Sequence, residues 1–236
     1  MKNIERHVEV LKGTKSDLHV LVDAQKELAM KLGFFPKKIS YFQKFWDIYE
    51  PYVSFYIVKT NYHQAKLELE KQLRSAQKHI LEVKDQNKVD ITKKHIISLE
   101  KEIEEIRKQN LDYDKDVYLG AKFIIQQADK VWNVNMYTKK SLLNFRAAFA
   151  LHMKALEEVY KKQAKTYDFE GIVGTNDPHD PMYGQQNFKK SFGGDYIEYL
   201  GEFDYVYNHR KYFLWRKLDH LYRAIRRRLA KLLLHD

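Results

Sequence analysis

Two heptad-spaced apolar series near the middle of the chain constrain its fold more than any other feature. The first series comprises Leu69, Leu73, Ala76, Ile80 and Val83, and the second comprises Ile96, Leu99, Ile103 and Ile106. Apolar residues that alternate at intervals of three and four form a stripe along one helix face, and two such stripes pack as a coiled coil. Residues 84–88 are polar and make a short turn, and Asp90 is the predicted N-cap of the second helix. The sequence therefore predicts an antiparallel helical hairpin.

Helix-like and strand-like segments alternate on both sides of this hairpin. Before it, the patterns predict a strand over 7–12, a helix capped by Ser16 and Asp17 that ends at Gly33, a helix over 40–50 and a strand over 52–59. After it, they predict strands over 117–126 and 129–137 with a turn at Gln127-Ala128, a helix over 140–162, a strand over 166–173, a short helix near 188–191, a strand over 196–207 and a closing helix. A helix is the alternative for 117–126. The alternation predicts an α/β fold with the hairpin as an insertion, divided as 1–60, 61–111, 112–208 and 209–236.

Composition narrows the class of protein and of site. Apolar residues make up 44% of the chain, which supports a packed core, and no apolar run is long enough to span a membrane. The first ten residues lack the apolar core of a secretory signal, so a soluble cytoplasmic protein is expected. Cysteine is absent and the histidines are scattered, so we expect neither a thiolate nor a metal site.

The net charge of +10 is concentrated in the last segment. From His209 onward the basic residues are Arg210, Lys211, Arg216, Lys217, Arg223, Arg226, Arg227, Arg228 and Lys231, against Asp219 and Asp236. Such an excess indicates an anionic partner, either nucleic acid or a membrane surface.

Residues 167–208 carry the most specific pattern in the chain. They contain a Y-x-F-x-G-[IV]-x-G strand end, an acidic proline-containing loop, an F-K-K turn and an E-Y-L-G-E-F segment. This order of motifs resembles the C-terminal signature of the FemABX family of aminoacyltransferases, which includes FemA, FemX and MurM-type enzymes. The predicted hairpin adds to the resemblance, because FemA-like members carry an inserted coiled-coil arm.

The resemblance implies a fold and a reaction. The fold expected is one GNAT-like acyltransferase subdomain, the second of the family's two, with a coiled-coil arm and a basic C-terminal helix; the first subdomain is expected to be missing. The reaction implied is transfer of an amino acid from aminoacyl-tRNA to the stem peptide of a peptidoglycan precursor such as lipid II, without a cofactor. A separate first subdomain or another Fem-like protein is an expected partner. The alternative is a non-catalytic Fem-like chain that acts as a binding subunit.

Candidate site residues also follow from the resemblance. It implies that Phe188 stacks on the tRNA end and that Lys189 stabilises charge during transfer, with Lys190 as the second candidate cation. The alternative is that Phe188 is a core residue and that the lysines lie in a solvated turn. Lys37 and Tyr41 stand at the spacing that the family uses for precursor phosphates, and the alternative there is an ordinary helix start.

The closing helix has an apolar stripe opposite its arginines. Leu214, Leu218, Leu221, Ile225, Leu229 and Leu232 recur at intervals of three and four. This pattern is typical of a helix that lies on a membrane surface, where anionic lipids favour Arg and Lys. The alternatives are a helix that packs on its own domain and one that binds the tRNA backbone.

Overall fold

A five-stranded sheet organises the protein. The computed structural model describes residues 8–108, 115–139, 146–201 and 203–235. The strands are β1 (Val8–Lys12), β2 (Val53–Asn61), β3 (Asp116–Gln127), β4 (Lys130–Thr138) and β5 (Thr166–Asp168). They lie side by side in chain order, antiparallel from β1 to β4, while β5 pairs parallel to β4. The predicted strands over 117–126 and 129–137 are confirmed, and Ala128 turns between them with a φ of 51°.

Some helices pack on the two faces of the sheet, and two others form the predicted hairpin. They are α1 (Leu18–Leu32), α2 (Ile39–Tyr49), α3 (Tyr62–Glu82), α4 (Gln86–Lys108), α5 (Ala147–Lys161), α6 (Tyr183–Lys190) and α7 (His209–His235). Side chains alternate along each strand, so Phe55 of β2 packs with α1 and α2, whereas Tyr56 packs with α5. Gly33 ends α1 in a left-handed conformation, and its N–H donates to the Ala29 carbonyl at 2.7 Å.

Phe123 of β3 is the centre of the layer beneath α1 and α2. Its ring centroid lies 4.6 Å from that of Phe55, 5.3 Å from that of Phe45 and 5.8 Å from that of Trp46. Phe42 closes the cluster at 6.4 Å, and both it and Phe123 are fully buried. These aromatic contacts hold α2 against the sheet.

The two helices of the arm, α3 and α4, pack along the predicted stripes. Leu69 and Ala76 of α3 and Leu99, Ile103 and Ile106 of α4 are buried, and this packing is continuous with the core beneath α5. The predicted N-cap at Asp90 is wrong. The Asp85 carboxylate accepts the N–H of Lys88 at 3.2 Å, so α4 begins one turn earlier than the spacing of its apolar residues indicated.

Three other predictions are corrected. The helix predicted from Lys140 begins at Ala147, because Arg146 has a left-handed φ of 50°; residues 140–145 lie outside the described part. The strand predicted over 166–173 pairs only at Thr166–Asp168, since Glu170 turns the backbone with a φ of 66°. The short helix is α6, which begins at Tyr183 rather than near Phe188.

The strand predicted over 196–207 is wrong. Its described residues, 196–201 and 203–207, form no strand and do not pair with the sheet, and Gly201 has a φ of 90°. Large apolar side chains of this segment are exposed, Leu200 by 94% and Tyr207 by 92%. Alternating apolar residues favour a strand only where a partner edge covers one face. The predicted fold class, α/β with an inserted helical hairpin and a basic C-terminal helix, is nevertheless confirmed.

Replacing Phe123 with Ala is expected to lower the free energy of unfolding by about 3–5 kcal/mol, because it removes the central ring of a buried cluster. Urea unfolding followed by far-UV circular dichroism measures the change. Tyr160→Ala is the control, since Tyr160 is 85% exposed and its loss should change little. Equal effects of the two substitutions would show that the aromatic cluster does not hold this layer together.

Candidate functional site

A cavity of about 780 Å³ opens between the end of β5 and the end of α6. Residues 166–172 line one part of it, Lys189 and Lys190 another, and residues 194–199 a third. Lys130 and Lys165 also line it. The Y-x-F-x-G strand end and the F-K-K turn, which are separate in sequence, therefore meet around one concave surface.

Lys189 is fixed in the wall of this cavity. The residue is only 9% exposed, and its Nζ donates to the Gly171 carbonyl oxygen at 2.9 Å. Burial lowers the pKa of Lys189, and the nearby carboxylate of Glu170 opposes that shift. Lys190 also lines the cavity but is exposed. Of the two predicted cations, Lys189 is the one that the structure holds in a defined position.

Phe188 packs inward from α6. Its ring centroid lies 5.6 Å from that of His152 and 5.3 Å from that of Phe192. Phe169 and Phe149 extend the same aromatic cluster through Phe192. This packing corresponds to the core alternative for Phe188, and stacking of its ring on a tRNA base stays a prediction.

A buried polar network lies behind the cavity. Lys122 of β3 and His152 of α5 are both fully buried, and the Lys122 Nζ lies 2.6 Å from the His152 Nδ1. The same Nδ1 is 3.1 Å from the hydroxyl of Tyr167, whose ring reaches the cavity wall. The network thus connects the centre of the sheet to the surface that Lys189 lines.

Burial and positive charge determine the protonation of this network. Burial, reinforced by the charges of Lys122 and Lys189, lowers the pKa of His152 to about 2, so the imidazole is neutral. Burial also holds the pKa of Lys122 well below its usual range and raises that of Tyr167.

Sequence reasoning missed Lys122, His152 and Glu170. Lys122 is the one charged residue in the apolar run over 117–126, and a charge in a predicted buried strand could have marked it as a candidate site residue. His152 lies on the apolar face of its helix, where a lone histidine has no distinguishing pattern. Glu170 occupies the variable position of the Y-x-F-x-G motif, so the motif gave no reason to select it.

Glu170 stands at the strained turn that ends β5. Its N–H donates to a carboxylate oxygen of Asp168 at 2.8 Å, and its own carboxyl is hydrogen-bonded by the side chain of Asn133. Burial of the carboxyl raises the pKa of Glu170, although much of the residue remains open to the cavity. The positive charges of Lys189 and Lys122 oppose that rise.

The predicted pair Lys37 and Tyr41 lies elsewhere. The Lys37 Nζ sits 4.0 Å from the centroid of the Tyr41 ring at the start of α2, and the Lys37 N–H donates to the Gln25 side chain at 2.8 Å. Since α2 packs on the sheet face opposite α5, the structure does not bring this pair together with Lys189. Its contact with precursor phosphates stays a prediction.

The closing helix α7 contacts α1 and the turn after it through its C-terminal half. Ala230 is buried, the Arg226 guanidinium lies 5.6 Å from the Phe35 ring centroid, and Lys231 approaches Gly33. The rest of its apolar stripe is exposed, between 47% at Leu229 and 66% at Leu232. Among the described residues, no helix is long and apolar enough to cross a membrane.

The neutral buried imidazole of His152 should make stability fall in mild acid. An unfolded histidine takes up a proton as the pH drops below its ordinary pKa of about 6.5, whereas the folded one does not until about pH 2. Between pH 7 and pH 5 the free energy of unfolding should therefore fall by about 2 kcal/mol from this group.

Urea unfolding across that pH range measures the effect in the unsubstituted chain and in His152→Phe, which keeps a ring of similar size. The substitution should flatten the pH dependence whatever it does to absolute stability. His79→Phe, at an exposed histidine of α3, should retain it. An unchanged pH dependence in His152→Phe would contradict a buried neutral imidazole.

Comparison with known proteins identifies the family. The model of the FemAB family matches residues 1–220, and the chain belongs to that family. The lipid II:glycine glycyltransferase of Staphylococcus epidermidis is 24% identical over 226 residues, which cover 91% of this chain and 54% of that protein. The corresponding protein of Staphylococcus saprophyticus is 22% identical, covering 87% and 52%. The chain therefore spans about half the length of these curated relatives.

The solved structure of FemX resembles this one in fold. The two superpose with a TM-score of 0.60 at 20% sequence identity, over 89% of this chain and 56% of FemX. The likeness confirms the predicted fold, and the family match confirms the resemblance seen in residues 167–208.

Proposed function

We propose that this chain forms part of an aminoacyltransferase that moves an amino acid from aminoacyl-tRNA to the stem peptide of lipid II. The observation that carries the proposal is Lys189, an ammonium group fixed in the wall of a large cavity by its bond to the Gly171 carbonyl. The substrate class is supported by the similarity to staphylococcal proteins that are lipid II:glycine glycyltransferases.

The reaction suits a site with a fixed cation and no protein nucleophile. The ester of aminoacyl-tRNA is already activated, so an amine can attack it directly once both are positioned. Negative charge then develops on the carbonyl oxygen, and a preorganised cation stabilises it. Lys189 meets that requirement because its position does not depend on bound substrate. In this proposal Phe188 supports the end of α6 through its packing on His152 and Phe192.

A second function, binding without transfer, is favoured by the exposed apolar side chains of residues 196–201 and 203–207. A chain of this kind would act as a partner subunit for a separate first half or for another Fem-like protein. In the first function Lys189 affects the rate of transfer, whereas in the second it can affect binding alone.

Lys189→Ala is expected to lower the rate of transfer by roughly 10²–10³, the usual cost of removing one group that stabilises the developing oxyanion. The assay uses glycyl-tRNA and lipid II, with the chain alone and with the half that it does not span supplied from a relative, and follows radiolabelled glycine into lipid. Lys190→Ala, at the exposed neighbour, is the matched control and should change the rate much less.

Transfer by Lys189→Ala at the unsubstituted rate would contradict the catalytic role. If no combination transfers glycine while the chain still binds lipid II, the non-catalytic function is the correct one.

We also propose that the enzyme works at the cytoplasmic face of the membrane, where α7 contacts anionic lipid. Its exposed leucines and its arginines give the two kinds of contact that an interfacial helix needs. Helix α7 packs on its own domain around Ala230, and the described side chains of its apolar stripe are about half exposed or more. Binding of tRNA by the same basic residues is the competing use, and it would not require the leucines.

Replacing Arg216 and Lys217 with Gln should weaken binding to anionic vesicles by roughly 30-fold, since each charge near such a surface is worth about 1 kcal/mol. Co-sedimentation with phosphatidylglycerol vesicles measures it. Replacing Lys93 and Lys94, two exposed lysines of the arm, changes the net charge equally and is the control. Equal losses in both variants, or equal binding to phosphatidylcholine, would contradict a specific role for α7.

A further inference from the structure

The imidazole of His152 contacts two of the segments that line the cavity, from behind both. On the side of β5, its ring centroid lies 6.1 Å from that of Tyr167 and 5.0 Å from that of Phe169. On the side of α6, it lies 5.6 Å from that of Phe188 and 5.3 Å from that of Phe192. One fully buried ring therefore packs between residues 167–171, here called the strand-end segment, and the end of α6.

A polar contact ties His152 to the strand-end segment. The His152 Nδ1 lies 3.1 Å from the Tyr167 hydroxyl and 2.6 Å from the Lys122 Nζ. The hydroxyl and the amine both carry donors, so the neutral imidazole accepts at Nδ1 and carries its proton on Nε2. The Nε2 atom has no hydrogen-bond partner among the described residues, and the rings around it are only weak acceptors. The polar contacts of His152 are thus concentrated on the side of Tyr167 and Lys122.

The same two segments hold Lys189. Gly171, four positions after Tyr167, supplies the carbonyl oxygen that accepts the Lys189 ammonium at 2.9 Å. Lys189 directly follows Phe188, whose ring packs on His152. The donor and the acceptor of the hydrogen bond that fixes the Lys189 ammonium are therefore carried by segments that meet on one imidazole.

Apolar packing alone would join these segments at a lower cost. A buried lysine and a buried histidine that share no carboxylate are less favourable than apolar side chains of the same volume. Three phenylalanine rings already surround His152, so a phenylalanine there would match its neighbours. What the imidazole adds to this packing is an acceptor for the Tyr167 hydroxyl at a fixed position.

We propose that His152 is a positioning residue, which holds the strand-end segment against the end of α6 at the separation where the Gly171 carbonyl fixes the Lys189 ammonium. Lys122 orients the imidazole through its contact with Nδ1. Neither His152 nor Lys122 is among the described residues that line the cavity, so both act through their neighbours. The consequence for transfer rests on the proposed function, whereas the effect on the position of Lys189 does not.

The first test removes the hydroxyl end of the tether. Tyr167→Phe leaves Lys122 and His152 in contact, but it frees the strand-end segment, and water should then reach Lys189. Because burial is what lowers the pKa of Lys189, its titration, followed by ¹³C NMR of Cε, should move to higher pH. Tyr160→Phe, at an 85% exposed tyrosine of α5, is the matched control and should leave that titration unchanged.

The second test removes the imidazole end and keeps a ring in the cluster. His152→Phe should move the Lys189 titration as far as Tyr167→Phe does, and the double variant should move it no further, since both substitutions remove one interaction. His152→Phe leaves the Lys122 amine buried without its partner. If that variant fails to fold, Lys122→Met is combined with it, because loss of both polar partners costs less than loss of one.

The glycine-transfer assay, with the complementing half present, then measures the consequence for catalysis. Tyr167→Phe and His152→Phe should each lower kcat by roughly 10- to 100-fold, since displacement of a catalytic group has an effect of that size. KM for lipid II should change less than kcat, because a displaced Lys189 weakens the transition state more than the bound substrate. Tyr160→Phe should transfer at the unsubstituted rate.

A Lys189 titration that stays in place in both variants, or effects that add in the double variant, would overturn the positioning role of His152. A titration that moves while kcat stays the same would support that role and overturn the catalytic role of Lys189. Absence of transfer from the unsubstituted, complemented chain would overturn the proposed function alone, and the titration would still decide the role of His152.

Discussion

Successive residues of β3 enter opposite layers of the molecule, and both the core and the candidate site depend on that alternation. Phe123 points towards α1 and α2, where four other aromatic rings surround it. Lys122 points the other way and meets His152 of α5. A shift of β3 by one residue would exchange these two side chains, placing a lysine among aromatic rings and an aromatic ring against a polar network. The register of one strand thus fixes both layers.

The polar layer is costly to bury. Lys122 and His152 share a contact in which neither partner is a carboxylate, and the His152 Nε2 has no hydrogen-bond partner among the described residues. Such a network is less favourable to stability than apolar packing of the same volume. His152 contacts both Tyr167 and Phe188. Tyr167 lines the cavity together with Glu170 and Lys189, so the network lies directly behind the cavity wall.

Local patterns in the sequence predicted much of the fold. Heptad stripes located α3 and α4, Gly33 located the end of α1, and β-branched runs located β2. The errors arose where a partner outside the local pattern decides the outcome. Asp85 rather than Asp90 caps α4, and residues 196–207 alternate like a strand but find no sheet edge. For the site, the family resemblance selected Lys189. Lys122 and Glu170 are brought near each other by the pairing of β3, β4 and β5, and His152 reaches Lys122 through the packing of α5 on the sheet.

Binding of a stable aminoacyl-adenosine analogue, observed by NMR of the isotopically labelled chain, tests the central claim most directly. If the cavity receives the end of aminoacyl-tRNA, the analogue should shift the resonances of Lys189, Glu170 and Tyr167 in a saturable way, and those of Lys37 and the arm should stay unchanged. Saturable shifts confined to α7 or to the arm, or none at all from the cavity residues, would contradict it.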